Sequence, residues 1–198
     1  MKVVPPHNQR RRGQLADAAI ALLADTGVHG VTHRAVERRA GLPVGTASNY
    51  FRSREALLVA VAERVGELHY ADMDRAGAAH RPGSTGTHER TVELIAGSLL
   101  TAATAYRERY LAIFELRLES LRRPALAESL SGLLERSVAF TTRHHADLGL
   151  NIPAAAVRTL VTLYGGALFT LVTAPPGEVT PELTRELAAS IVRAGLGD

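Results

Sequence analysis

The chain has no cysteine, which excludes disulfides and thiolate metal sites and makes a reducing, cytoplasmic compartment the natural expectation. It has no glycine-rich phosphate loop and no His-Glu-x-x-His helix, so nothing points to a nucleotide enzyme or a zinc hydrolase. The pair His144-His145 does not make a metal site, because adjacent helical residues project about 100° apart and no obvious carboxylate joins them. No metal, no cofactor and no catalytic residue is therefore expected, and the chain reads as a non-enzyme. The opening MKVVPPHNQRRR has no apolar core segment, so it is not a signal peptide. Charge is missing from Thr159 to Gly177, which approaches membrane-spanning length. Four threonines, the Gly165-Gly166 pair and the Pro175-Pro176 end favour a helix buried on most sides over a membrane span. No segment sustains the period-two alternation of strands, and no solenoid period recurs. These absences leave an all-α fold.

What is present is unevenly charged. Residues 1–54 hold nine Lys/Arg against three acids, Asp17, Asp25 and Glu37, whereas the remaining 144 residues carry 14 arginines and 17 acids. A basic head on a mildly acidic body is the electrostatic footprint of a nucleic-acid binder.

The apolar residues recur at helical spacing. Leu15, Ala18, Ala19, Leu22 and Leu23 mark a first helix, with Asn8 as its cap and Gly27 as its stop. Thr32 caps a short second helix ended by Gly41, and Ser53 caps a long fourth one carrying Leu57, Leu58, Val61, Val65 and Leu68 inward. Further helices are expected at about 88–105, 107–122, 124–148, 153–173 and 181–194, about nine in all. Pro124, Pro153 and Pro181 stand at first helical positions, and Thr180 caps the last helix. AGAAHRPGSTGT, 76–87, is a connector. The expected division is a DNA-binding head over 1–54 and a larger domain over 55–198, joined by a linking helix at about 54–75.

Within the head, AGLPVGTASNYF breaks the apolar pattern. Three short helices, the second and third joined by a tight glycine-containing turn, describe a helix-turn-helix, whose second member lies in the DNA major groove. Thr46, Ser48 and Asn49 are short donors and acceptors suited to base edges, Val44 suits a thymine methyl, and Gly45 lets the backbone approach. Ala47 and Phe51 face inward. Arg34 and Arg54 flank this surface, where guanidinium groups hold phosphate or guanine.

The run THRAVERRAGLPVGTASNYFRSREALL, 32–58, resembles the DNA-binding domain of the TetR family of bacterial one-component regulators. The resemblance spans about 10–60. It implies phosphate contacts for Thr32, His33, Tyr50 and Arg54, and base or groove contacts for Arg34, Val44, Gly45, Thr46, Ser48 and Asn49. The partner implied is double-stranded operator DNA. Three positions depart from the family pattern: Pro43 replaces a capping serine, Ala47-Ser48 replaces a Leu-Tyr pair, and Glu37 stands where a small residue packs on the recognition helix.

Beyond residue 60 there is no motif. By resemblance the later helices enclose a pocket for a small molecule, not identified, whose binding releases DNA. This makes His69, Met73, Tyr106, Tyr110, Phe114, Arg117, Phe140, His144 and Tyr164 candidate ligand contacts. A homodimer is expected from the last two helices. Gly165-Gly166 permits close approach there, and Leu183, Leu187 and Ile191 form an i, i+4, i+8 stripe that would complete an intermolecular four-helix bundle. A ligand-independent DNA-binding regulator is the alternative, ahead of a helical adaptor or an all-α enzyme.

Overall fold

A computed structural model describes residues 6–79, 86–175 and 177–197. The central part of the expected connector at 76–87, like Pro176, lies outside these residues. Among the described residues every regular element is a helix: α1 (Pro6–Gly30), α2 (His33–Ala40), α3 (Thr46–Tyr50), α4 (Arg54–Ala79), α5 (Thr87–Ala103), α6 (Arg107–Ser120), α7 (Pro124–Leu130), α8 (Leu133–Asp147), α9 (Ala154–Thr173) and α10 (Pro181–Leu196). The single helix expected over 124–148 is two, because the chain turns extended at Ser131 and left-handed at Gly132 (φ 67°). Asn8 lies inside α1 and does not cap it, and Pro153 is the residue before α9 instead of its first.

Packing divides the chain into two units, one made of 1–68 with 108–131 and the other of 69–107 with 132–198. The division does not follow a boundary at 54/55. Leu15, Ala19 and Leu23 of α1, Val36 of α2, Ala47 of α3, and Phe51, Leu57, Leu58 and Val61 are buried together with Ala112 and Leu116 of α6 and Leu126 of α7. Each fully buried Leu or Phe there stabilises the fold by roughly 1.5–3 kcal/mol, so α6 and α7 belong energetically to the head.

The end of α1 is fixed from two sides. Gly27 takes φ 65°, a conformation that favours glycine, and a Cβ there would stand 3.1 Å from Glu115 Oε1, close enough to push that carboxylate aside by a few tenths of an ångström. The same Glu115 oxygen accepts the Val28 N–H at 3.0 Å. From α4, Arg54 donates Nε to the Val31 carbonyl at 2.8 Å and Nη2 to that of Val28. The Val28 carbonyl, which also accepts the Val31 N–H at 3.2 Å, and the Val31 carbonyl just past the helix thus find a cation, as a helix C-terminus favours.

In the second unit α5, α8, α9 and α10 pack as a helical group, with α10 against α5 and α9, and α9 against α5 and α8. Leu99, Val157, Leu160, Leu171, Ala188 and Val192 are buried there. Arg185 on α10 bridges Glu89 and Glu93 on α5, and Arg158 on α9 pairs with Glu135 on α8 at 2.6 Å. The Thr180 hydroxyl caps α10 by accepting the Leu183 N–H at 3.2 Å. Helix α9 corrects the expectation of a helix buried on most sides. Only 28% of its apolar window is buried, because Leu163, Gly166, Phe169, Thr170 and Thr173 share an exposed face.

His145 on α8 is a titratable group inside this unit. It is 6% exposed, and its Nδ1 has no hydrogen-bond partner among the described residues. Burial, with a smaller contribution from neighbouring His144, pushes its pKa down to about 4 from the ordinary 6.5. The unfolded chain therefore binds the extra proton between these values, so stability falls as pH drops from about 6.5 towards about 4 and levels off below. The loss is expected to reach at most about 3 kcal/mol. Urea unfolding at pH 7 and pH 4.5 checks it: His145→Leu should remove most of this acid destabilisation, and an identical pH dependence in both proteins would show that His145 is not its source.

Candidate nucleic-acid interface

The surface predicted to read DNA begins at Thr32, whose hydroxyl accepts the Ala35 N–H at 3.1 Å and starts α2. Helix α2 ends where the Gly41 N–H reaches the Arg38 carbonyl at 3.3 Å and the Leu42 N–H reaches that of Glu37 at 2.9 Å. The turn continues through exposed Pro43 and Val44 to Gly45, whose φ of 90° suits only glycine. Nothing lies within 4 Å of where a Gly45 Cβ would be, so backbone conformation and not crowding sets that requirement.

Helix α3 is five residues long and has no side-chain cap at Gly45. Two other contacts hold its first turn. Thr46 donates its hydroxyl to the Pro43 carbonyl at 2.6 Å, and the Ala47 N–H donates to Glu37 Oε1 at 2.7 Å. Glu37 is 3% exposed. Sequence reasoning identified it as a departure from the family pattern but missed this role. The signal was there: a carboxylate on α2 accompanied by the loss of any capping side chain at 43.

The inward side of α3 is Ala47, continued by Phe51 just past its end, both buried. The opposite side presents Ser48 and Asn49, with Val44 81% exposed beside them. Thr32 and Arg34 at the start of α2 are exposed as well. Thr46, Tyr50 and His33 are half-buried and partly committed: the Tyr50 hydroxyl donates to Asn8 Oδ1 at 3.2 Å, and His33 Nε2 donates to the Phe51 carbonyl at 2.7 Å, leaving Nδ1. Arg54 differs from the phosphate contact expected of it, since two of its three nitrogens serve the α1 carbonyls. Arg12 lies 4.9 Å over the Phe51 ring and pairs with Glu63, and Arg39 pairs with Asp25 at 2.9 Å. The outward-facing set is therefore Thr32, Arg34, Val44, Ser48 and Asn49, with Gly45 half-buried in the turn: short polar and apolar groups with one guanidinium, suited to hydrogen bonding with base edges and phosphate.

The candidate ligand residues fall into two groups. Tyr110, Phe114 and Arg117 lie on the part of α6 that packs in the first unit, Tyr110 buried and Arg117 exposed. In the second unit, Tyr164, His69, Tyr70, Phe140 and His144 form a continuous series of rings. Successive centroids are 6.5 Å (Tyr164–His69), 5.7 Å (His69–Tyr70), 4.3 Å (Tyr70–Phe140) and 5.8 Å (Phe140–His144) apart. Tyr70 was not anticipated, although it follows His69 directly. The Tyr164 hydroxyl shares a 2.8 Å hydrogen bond with Ser98, and burial pushes its pKa up to about 12. Burial lowers that of His144, partly opposed by Asp74 at 3.7 Å. Met73 and Tyr106 are half-buried in the same unit. Of the dimer candidates, Leu183 and Leu187 are half-buried and Gly166 exposed, whereas Ile191 is 5% exposed and turns into the core of its own chain.

Comparison with known proteins agrees with this geometry. Residues 15–61 match the model of bacterial regulatory proteins of the tetR family, and residues 86–197 match that of the tetracyclin repressor-like C-terminal domain. The HTH-type transcriptional regulator BetI of Escherichia coli O127:H6 is 34% identical over 88 residues, 44% of this chain and 43% of that regulator's length. The crystal structure of a transcriptional regulator from Rhodococcus sp. RHA1 superposes with a TM-score of 0.74 at 18% identity, covering 93% of this chain and 95% of that one. The multidrug binding protein EbrR, in complex with imidazole, gives 0.64 at 27% identity over 91% of this chain and 94% of its own. The C-terminal match alone spans more than half of the chain, and with the helix-turn-helix in front of it the chain belongs to the TetR family of bacterial transcriptional regulators.

Proposed function

We propose that the chain is a cytoplasmic, homodimeric repressor that reads a two-fold operator with α3 and leaves it when a small molecule binds the carboxy-terminal helices. The observation that carries the reading is the two-sided α3. Its inner residues Ala47 and Phe51 are buried, while Ser48 and Asn49 stand exposed without a structural task among the described hydrogen bonds. Exposed Arg34 supplies phosphate or guanine affinity from α2.

Binding to a duplex from the protein's own promoter region tests this. Asn49→Ala should leave the melting temperature unchanged and weaken specific binding by roughly 1–3 kcal/mol. Arg34→Ala should lower the salt slope of binding by about one unit. Arg54→Ala should instead destabilise the head by about 1–3 kcal/mol, because it strips a charged donor from carbonyls at the end of α1. Wild-type affinity and salt slope in both surface variants would refute the reading of this face.

A two-fold operator requires two copies, and the bare apolar face of α9 supports that assembly. Leu163→Glu with Phe169→Glu changes side chains that are 38% and 45% exposed within one chain. Helicity should therefore survive, while sedimentation should shift from dimer to monomer and operator affinity should fall. A dimer that persists places the interface elsewhere.

The ring series supports a ligand that is flat and largely apolar, held by stacking and by a few polar groups such as Tyr164 and His69. EbrR, with its bound imidazole and, in a second structure, ethidium, offers a precedent for such a ligand on this fold. A hundredfold release from DNA needs about 2.7 kcal/mol of coupling. Thermal-shift screening with planar aromatic compounds, followed by operator binding, should yield a compound that both stabilises the protein and weakens DNA binding. Compounds that stabilise it and leave operator affinity intact would leave a ligand-independent regulator.

A further inference from the structure

We infer that Glu37 is the positioning residue of the recognition helix, and that its buried carboxylate, acting as a cap supplied by the preceding helix, sets the protein's discrimination between operator and other DNA. The inference rests on the reading of α3 as the DNA-contacting element. A five-residue helix is far too short to hold itself, since isolated helices below about 12–15 residues are marginal even in favourable sequences. Its geometry must come from outside. Packing of Ala47 and Phe51 fixes its inner face but leaves the N-terminal amides to be satisfied. The residues that ordinarily do this have no means here: Pro43 has no side-chain acceptor, and Gly45, at the cap position, has no side chain.

Glu37 makes up the loss. Its Oε1 accepts the buried Ala47 amide at 2.7 Å, and its own carbonyl accepts the Leu42 N–H at 2.9 Å. One residue thus closes α2 through its backbone and opens α3 through its side chain. Among the described residues no cation pairs with this carboxylate, which is 3% exposed. A charge so placed is tolerated only where amide hydrogens receive it, and the start of a helix is such a place. The requirement is mutual, because the Ala47 amide is equally shut off from water.

Base discrimination depends on this more than phosphate attraction does. Hydrogen bonds to base edges demand tight placement of Ser48 and Asn49, whereas arginines at the surface attract any duplex. Loosening α3 should erode specific binding and spare non-specific binding.

The experiment compares the full-length protein with Glu37→Met, which fills similar volume without an acceptor, and Glu37→Gln, whose amide oxygen can still accept the Ala47 N–H while the charge is gone. Asn49→Ala is the control for α3 itself. Affinities are measured on the promoter duplex and on a scrambled duplex of equal length, well below the melting temperature of each variant, and amide exchange is followed by NMR. E37M should lower the ratio of specific to non-specific affinity by about tenfold or more, the scale of a lost base contact, with scrambled-DNA binding within about threefold. E37Q should stay within about threefold of the unmodified protein on both duplexes. The Ala47 amide should exchange at least about tenfold faster in E37M, out of proportion to Phe51, and not in E37Q. A wild-type ratio in E37M while Asn49→Ala loses it would overturn the capping role and leave α3 as the reading element. A wild-type ratio in both would remove the reading itself. Equal acceleration of Ala47 and Phe51 would show a general loosening of the head, and E37Q behaving like E37M would show that charge, not the cap, is what matters; either result overturns the inference.

Discussion

The structure of the head depends on the burial of Ala47 and Phe51, because a helix of five residues has no stability to spare. These two side chains join α3 and the residue after it to a core built from α1, α2, α4, α6 and α7. Once they are inward, helical geometry sends Ser48 and Asn49 outward, and Gly45 and Val44 come to the surface of the turn. Everything proposed about DNA follows from that orientation. The polar contacts refine it: the Thr46 amide and hydroxyl both donate to the Pro43 carbonyl and close the turn, and Glu37 accepts the Ala47 amide.

The head also shows how basic residues divide between structure and recognition. Arg54, Arg12 and Arg39 have intramolecular partners, the first at the end of α1, the second against Phe51 and Glu63, the third on Asp25. Arg64 holds Asp17 through two nitrogens at 2.8 and 3.2 Å. Net charge alone would count all of them towards DNA. Their geometry leaves exposed Arg34 and Arg38 of α2 and Arg52 of the α3–α4 turn available to a partner outside the chain.

What could be read from sequence was local. The caps at Thr32, Ser53 and Thr180 and the inward pair Ala47 and Phe51 each follow from a few neighbouring residues, and each is present, whereas Gly27 kinks α1 and the helix runs on to Gly30. What could not be read were contacts across the chain. Glu37 reaches an amide ten positions on, Arg54 returns to carbonyls more than twenty positions back, and Glu115 caps a residue 87 positions away. Composition also misled at α9, where an uncharged sequence suggested burial on most sides and the single chain leaves one face of the helix exposed. Ile191 went the other way, since spacing placed it on the stripe with Leu183 and Leu187, while packing against the unit's own core claims it. Helical periodicity identifies which residues share a face, but not which neighbour meets that face.

The claim that α3 reads bases is tested most directly by operator scanning with the wild-type protein and Asn49→Ala side by side. Each base pair of the bound duplex is changed singly, and the affinity profile of the two proteins is compared. If Asn49 contacts a base, substitution at one position in each half-site should cost the wild type roughly 1–3 kcal/mol and cost Asn49→Ala almost nothing, with the other positions unchanged. Two profiles that coincide at every position would contradict the account and place the reading surface elsewhere on the protein.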